Sequence, residues 1–285
     1  MAAELSAKVN SAATPVKGAV KPAAADKAQR LALATPLRFV LITMDSHLAS
    51  AAERARAVLV RQMPGLQLSL HAAADWAADP GALAQCQQAI AQADIVVCTM
   101  LFMEDHFLPI LPALQARRDA CDAVVCAMSA GEIAKLTRMG KFDMSKPTTG
   151  PMALLKKLRG KTTTADGKSK PATGGEKQMK MLRRLPQLLK YIPGTAQDVR
   201  AYFLTLQYWL GGSQDNVANL VRFLIDRYAA GPRAVLRGRV AAAPPVEYPE
   251  TGVYHPRLAN PHSGKLSSDL ADLPQIVPAD RKSVV

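Results

Sequence analysis

Three short strings of this 285-residue sequence bring together side chains that could handle protons, metal ions or polar ligands. They are Asp45, Ser46 and His47; Glu104, Asp105 and His106; and Ser129, Gly131 and Glu132. Carboxylates and imidazoles gathered on one surface can ligate a hard cation, accept a proton or hold a polar group. Each string follows a short apolar run. In an open α/β sheet ligands bind outside the carboxyl ends of the strands, so the three strings are expected on one edge. A plainer reading stands beside this one, in which Ser46 and Ser129 cap helices and the acids complement helix dipoles in first turns.

Other chemistry finds less support. Gly160-Lys161-Thr162 and Gly167-Lys168-Ser169 look like the end of a phosphate-binding loop. Such a loop needs an earlier glycine, five positions before, so that backbone N–H groups can wrap the phosphates, and Leu155 and Thr162 stand there instead. No His and Cys residues recur at zinc-ligand spacing. Cys86, Cys98, Cys121 and Cys126 form no CxxC pair, and two of them sit in strand-like runs, where a thiol acts as a small hydrophobe in a reducing compartment.

The formal charge of +13 is concentrated in one stretch. From Lys135 to Lys190, fifteen Lys and Arg stand against three acids, Asp143, Asp166 and Glu176, a net +12. Phe142 is the only aromatic there, so the stretch lacks the interleaved rings that stack on bases, and nucleic acid is not an expected partner. A docking surface for an acidic protein or anionic lipid fits better, with Lys156, Lys157, Lys177, Lys180, Arg183 and Arg184 as its candidate residues. A solvated Lys-rich face is the bland alternative. No apolar run is long enough to span a bilayer, and the first residues lack the apolar centre of a secretory signal. A cytoplasmic protein with peripheral membrane contact is expected.

The elements that would position the three strings follow from the hydrophobic pattern. Apolar runs at Phe39 to Thr43, Leu66 to Leu70, Ile95 to Met100 and Ala123 to Met128 alternate with amphipathic stretches, the pattern of a doubly wound, flavodoxin-like α/β parallel sheet of about four strands. Leu48, Ala52, Ala55 and Leu59 recur on one helical face. Asp79 and Pro80 open a second helix, Pro109 and Pro112 divide a third between Glu104 and Arg118, and Gly140 ends a fourth from Ala130 to Met139. Residues 1–36 read as a disordered tail, 37–146 as the α/β domain, 147–176 as a flexible basic loop and 177–230 as a mainly helical segment. Within that segment Thr195 and Asp198 form a capping-box-like start, and Ser213 caps the last helix. Residues 231–285 read as extended, Pro-rich and incomplete.

Several strings taken in order resemble the H subunit of magnesium chelatases, the bacteriochlorophyll type in particular. They are Thr43-Met44-Asp45-Ser46-His47-Leu48, Glu104-Asp105-His106, Ala116-Arg117-Arg118-Asp119 and Met128-Ser129-Ala130-Gly131-Glu132. The last runs on through Lys135-Leu136-Thr137-Arg138-Met139-Gly140-Lys141. Leu185-Pro186, Leu189-Lys190-Tyr191, Gln207-Tyr208-Trp209-Leu210-Gly211-Gly212, Tyr248-Pro249 and His255-Pro256 continue the series. The cobalt-chelatase large subunit is a weaker match.

The resemblance implies a part in ATP-dependent insertion of Mg2+ into protoporphyrin IX. In that family the H subunit holds the porphyrin, while two AAA+ type partners, the I and D subunits, hydrolyse ATP, in keeping with the missing phosphate-binding loop. Family members are several times longer, and Asp280 to Val285 depart from their pattern, so the resemblance implies an N-terminal region that does not insert metal alone. No cofactor is expected on this chain itself. Asp45, His47, Glu104, Asp105, His106, Ser129 and Glu132 are the candidate contacts for porphyrin or a partner subunit. A non-catalytic docking protein acting through its basic segment is the alternative from another class.

Overall fold

The computed structural model describes residues 22–146, 186–187, 189–247, 253–254 and 266–267. The four apolar runs become parallel strands, β1 Leu37–Thr43, β2 Leu66–Ala72, β3 Ile95–Thr99 and β4 Ala123–Ala127. They are ordered β2-β1-β3-β4, with Thr43 beside Thr99 and Cys98 beside Cys126. The chain therefore turns to opposite sides after the neighbouring strands β1 and β3, the kind of switch point beside whose carboxyl ends ligands bind in open α/β sheets. Every residue of β3 and β4 is buried, as expected for strands covered on both faces.

The two-residue period of a strand sorts these side chains into two cores. Phe39, Leu41, Ile95, Val97, Ala123 and Val125 face one layer, where they meet Ala52, Ala55 and Leu59 of helix α2 (Ala49–Gln62). Val40, Ile42, Val96, Cys98, Val124 and Cys126 face the other. That second layer is closed by α3 (Pro80–Gln92), α4 (Glu104–Phe107), α5 (Leu111–Arg117) and α6 (Gly131–Ala134) through Cys86, Ile90, Phe107, Leu114 and Ile133. Asp79 caps α3 by accepting from the Gly81 N–H at 2.8 Å, and the prolines divide α4 from α5 as the sequence suggests.

The helical segment does not stand apart from the sheet. Helices α7 (Thr195–Gly211) and α8 (Gln214–Tyr228) place Val199, Trp209, Val217, Leu220, Val221 and Leu224 in the same core as Phe39 and Leu41. Ser213 caps α8 by accepting from the Asn216 N–H at 3.2 Å. Beyond α8 a 3-10 turn, Gly231–Leu236, leads into an extended segment through residue 247. Two asparagines bind that segment as if they were strand neighbours. Asn216 donates to the Val246 carbonyl at 2.8 Å and accepts from its N–H at 2.9 Å, while Asn219 accepts from the Ala243 N–H at 3.1 Å. Gly211 makes room for this, since a Cβ there would lie 2.2 Å from the Asn216 amide nitrogen.

Four expectations change. Within the predicted tail, Pro22–Leu33 forms helix α1, because Ala and Leu favour helix and Pro22 occupies the first position, where its missing N–H costs nothing. The predicted helix from Ala130 to Met139 ends after one turn, and Arg138–Met139 (β5) and Phe142–Asp143 (β6) form an antiparallel hairpin that brings the sheet to six strands. Thr137 decides this: its hydroxyl accepts from the Cys126 N–H and donates to the Cys126 carbonyl, both at 3.0 Å, drawing the chain alongside β4. Asp198 forms no capping box. It accepts instead from the Lys141 N–H at 2.9 Å and the Tyr228 hydroxyl at 3.0 Å, tying the hairpin turn at Gly140 to α7 and α8. The segment read as extended after residue 231 begins with the 3-10 turn and contributes a small hairpin, Val253–Tyr254 (β7) with Leu266–Ser267 (β8).

Candidate functional site

All three predicted strings follow the carboxyl ends of β1, β3 and β4, with Asp45 to His47 and Ser129 in loops, Glu104 to His106 in α4, and Gly131 and Glu132 opening α6. After β1, Asp45 accepts hydrogen bonds from both the backbone N–H of His47 at 3.1 Å and the Nδ1 of its ring, which leaves Nε2 facing away from the pair. The hydrogen bond from His47 holds the Asp45 carboxyl below its ordinary range. The imidazole also meets Trp209 of α7 edge to face, with ring centres 6.3 Å apart. This contact joins residues distant in sequence, and the apolar spacing of α7 alone could not have revealed it.

The loops after β3 and β4 lock together. Leu101 donates its N–H to the Ser129 hydroxyl at 3.2 Å, Ser129 donates to the Ala127 carbonyl at 3.0 Å, and Ala130 donates to the Leu101 carbonyl at 2.8 Å. Ser129 is thus a loop brace rather than a helix cap, and Ser46 supplies no cap to α2, so the capping reading fails for both serines. Met100 and Met128 take left-handed backbone, φ 60° and 47°, which side-chain-bearing residues adopt at a cost of order 1–3 kcal/mol. Both sit at the point where a strand hands over to its loop.

Glu104, Asp105 and Glu132 are exposed on this edge, and His106 is half-buried with its Nδ1 enclosed and without a protein partner. The Thr43 and Thr99 hydroxyls and the Trp76 indole N–H are also enclosed there without a protein partner. These residues share an edge, but only Asp45 with His47 form a direct side-chain pair. Among the described residues no three of His, Cys, Asp and Glu gather as a metal-ligand set. The four cysteines are buried in one layer of the core. Burial pushes the Cys86 thiol up to about 12 and that of Cys121 to about 11, so both stay protonated and inert.

Sequence reasoning missed a second polar cluster, at the opposite end of the strands. Arg233 donates from Nε and a terminal nitrogen to Asp122 at 2.8 and 2.9 Å and pairs with Asp94 at 3.3 Å. Asp94 also accepts from the Arg38 N–H at 2.8 Å, and Asp122 from the Ala230 N–H at 3.0 Å. Its place and its partners make it a clamp that fastens the 3-10 turn to β1, β3 and β4. The signal available beforehand was an Asp just before each of two buried strands. The docking candidates Lys156, Lys157, Lys177, Lys180, Arg183 and Arg184 lie outside the described residues. No described helix is long and apolar enough to cross a membrane.

Comparison with known proteins decides the family. Residues 38–203 match a family model described as a domain of unknown function, DUF3479, and residues 206–280 match one described as CobN/Magnesium Chelatase. The chain is 48% identical over 245 residues to the magnesium-chelatase H subunit of Cereibacter sphaeroides, an alignment that covers 86% of this chain and 19% of the relative. It belongs to the magnesium-chelatase H-subunit family. The H subunit of Rhodobacter capsulatus is also 48% identical, over 83% of this chain and 19% of its own length. The chloroplastic magnesium-chelatase ChlH subunit of Oryza sativa subsp. indica is 31% identical over 59% of this chain and 11% of its own length. The chain thus spans about a fifth of the curated H subunits it matches. Much of the string from Met128 to Lys141 proves architectural. In this H-subunit family member Thr137, Arg138 and Gly140 build the hairpin, and Arg118 reaches the Leu136 carbonyl at 3.0 Å and pairs with Asp143.

Proposed function

We propose that this chain is the N-terminal module of the porphyrin-binding subunit of a magnesium chelatase, which inserts Mg2+ into protoporphyrin IX in bacteriochlorophyll synthesis. ATP is hydrolysed by AAA+ type I and D partner subunits. The observation that carries the reading is 48% identity over 86% of the chain to a magnesium-chelatase H subunit, across both matched family segments. In this reading the carboxyl edge is the contact surface, through Asp45, His47, Glu104, Asp105, His106, Ser129 and Glu132. The interlocked loops after β3 and β4 support that assignment, because a surface whose backbone is already fixed loses little freedom on binding. Asp45 would hold His47 in the tautomer protonated at Nδ1, with Nε2 turned outward to accept a hydrogen bond.

The test has two arms, both on the intact chain. Deuteroporphyrin is titrated while its fluorescence is followed, and purified I and D subunits are passed over immobilised chain. Saturable quenching or retention of either partner is the expected result. Failure of both arms would overturn the reading.

A further inference from the structure

We propose that the carboxyl edge around the β3–α4 loop docks a basic, apolar protein segment, a Lys- or Arg-rich amphipathic helix of a partner chain, and is not the seat of the anionic tetrapyrrole. This rests on the reading above and selects between its two kinds of contact. Phe102 and Met103, on the loop before α4, and Leu108, just after it, are 56%, 54% and 49% exposed. Large apolar side chains left in water together mark interaction surfaces more often than scattered ones do. The loop that carries Phe102 and Met103 is fixed by Leu101 on Ser129, Ala130 on Leu101 and the left-handed Met100. Its aromatic and thioether side chains are therefore presented on rigid backbone, the condition under which anchors bind well.

Charge names the occupant. The segments that follow the strands on this edge carry Asp45, Asp75, Glu104, Asp105 and Glu132, whereas Lys135 is the one ammonium among their described residues. The 3-10 turn Ala73–Asp75 packs on α4, so Asp75 flanks the same patch. An acidic rim around an apolar centre is complementary to a helix with leucine-like residues on one face and lysines beside them. A porphyrin bearing propionates would meet like charge here, on the edge of a protein whose formal charge elsewhere is strongly positive. The edge thus repels the family's pigment and attracts a cationic helix.

The probe is a fluorescein-labelled Leu/Lys amphipathic peptide of about 18 residues, five helical turns, titrated against the whole chain by anisotropy, with deuteroporphyrin quenching measured on the same samples. Saturable binding that weakens as salt rises is expected. Phe102→Ser with Met103→Ser should weaken it about tenfold or more, as loss of buried anchors does. Glu104→Lys with Asp105→Lys should abolish it. All four side chains are exposed, so both double variants should melt with the parent chain. Absence of saturable binding, or parental affinity in both folded variants, would overturn the inference while leaving the family reading in place. So would loss of deuteroporphyrin quenching in the Phe102 and Met103 variant, which would put the pigment on this edge.

Discussion

Replacing Arg233 by Met keeps most of the aliphatic stem and removes the guanidinium that bridges Asp122 and Asp94. The side chains of these two carboxylates are 5% and 9% exposed, and that of Arg233 is 21% exposed. Removing one partner of a fully buried ion pair costs about 3–5 kcal/mol, because the charge left behind stays desolvated. Two features moderate that here. Each carboxylate keeps one backbone N–H, from Arg38 and from Ala230, and Arg117 stands 3.9 Å from Asp94. The expected loss is therefore about 3 kcal/mol, toward the lower end of that range. For a chain of this size that is a fall in melting temperature of about 6–12 °C. Urea unfolding followed by circular dichroism measures it, and adding Asp122→Asn should return part of the loss by removing one uncompensated charge. A loss under about 1 kcal/mol, or no recovery in the double variant, would mean that water reaches these carboxylates freely and that the clamp contributes little.

Gly140→Ala should cost about 1–2 kcal/mol, because φ is +57° and a Cβ would lie 2.8 Å from Asp198 Oδ2; an unchanged urea midpoint would contradict it. Asn216→Ala should cost about 2 kcal/mol and expose residues 240–247 to limited proteolysis, since both polar groups of Val246 lose their partner. Burial pushes the His71 imidazole below its ordinary value of 6.5, so the unfolded chain takes up the proton first. Its contribution is whole above pH 6.5 and is lost as pH falls from there through the folded value. His71→Gln should accordingly flatten the decline in stability between about pH 7 and pH 5, and an equally steep decline in the variant would refute this.

The strands were legible because burial on both faces demands continuous apolar runs, and those of β1 from Phe39 onward, β3 and β4 have few alternatives. The carboxyl-edge strings were legible too, since strand direction alone carries Asp45, Glu104 and Glu132 to one side. What local pattern could not supply was partnership across the chain. Ala130 to Met139 has helical composition, but the Thr137 hydroxyl finds Cys126 in a strand the sequence cannot align with it. Asp198 stands three residues after Thr195, yet its carboxylate goes to Lys141 and Tyr228. The contact of His47 with Trp209 and the hold of Arg233 on Asp94 and Asp122 likewise depend on the late helices settling on the sheet.

That dependence matters while the chain is being made. The last residue of α8, Tyr228, follows Asp143, the last of β6, by 85 residues. At about 5–20 residues per second, a ribosome takes some 4–17 seconds to bridge that interval. During it, the sheet face that carries Phe39, Leu41, Ile95, Val97 and Val125 has α2 against it but neither α7 nor α8. A nascent chain paused in that window offers an uncovered apolar surface to whatever waits at the exit tunnel. Holding by a chaperone until residue 228 emerges, or slow decoding placed after α8 rather than before it, would decide how much of this protein reaches its folded state.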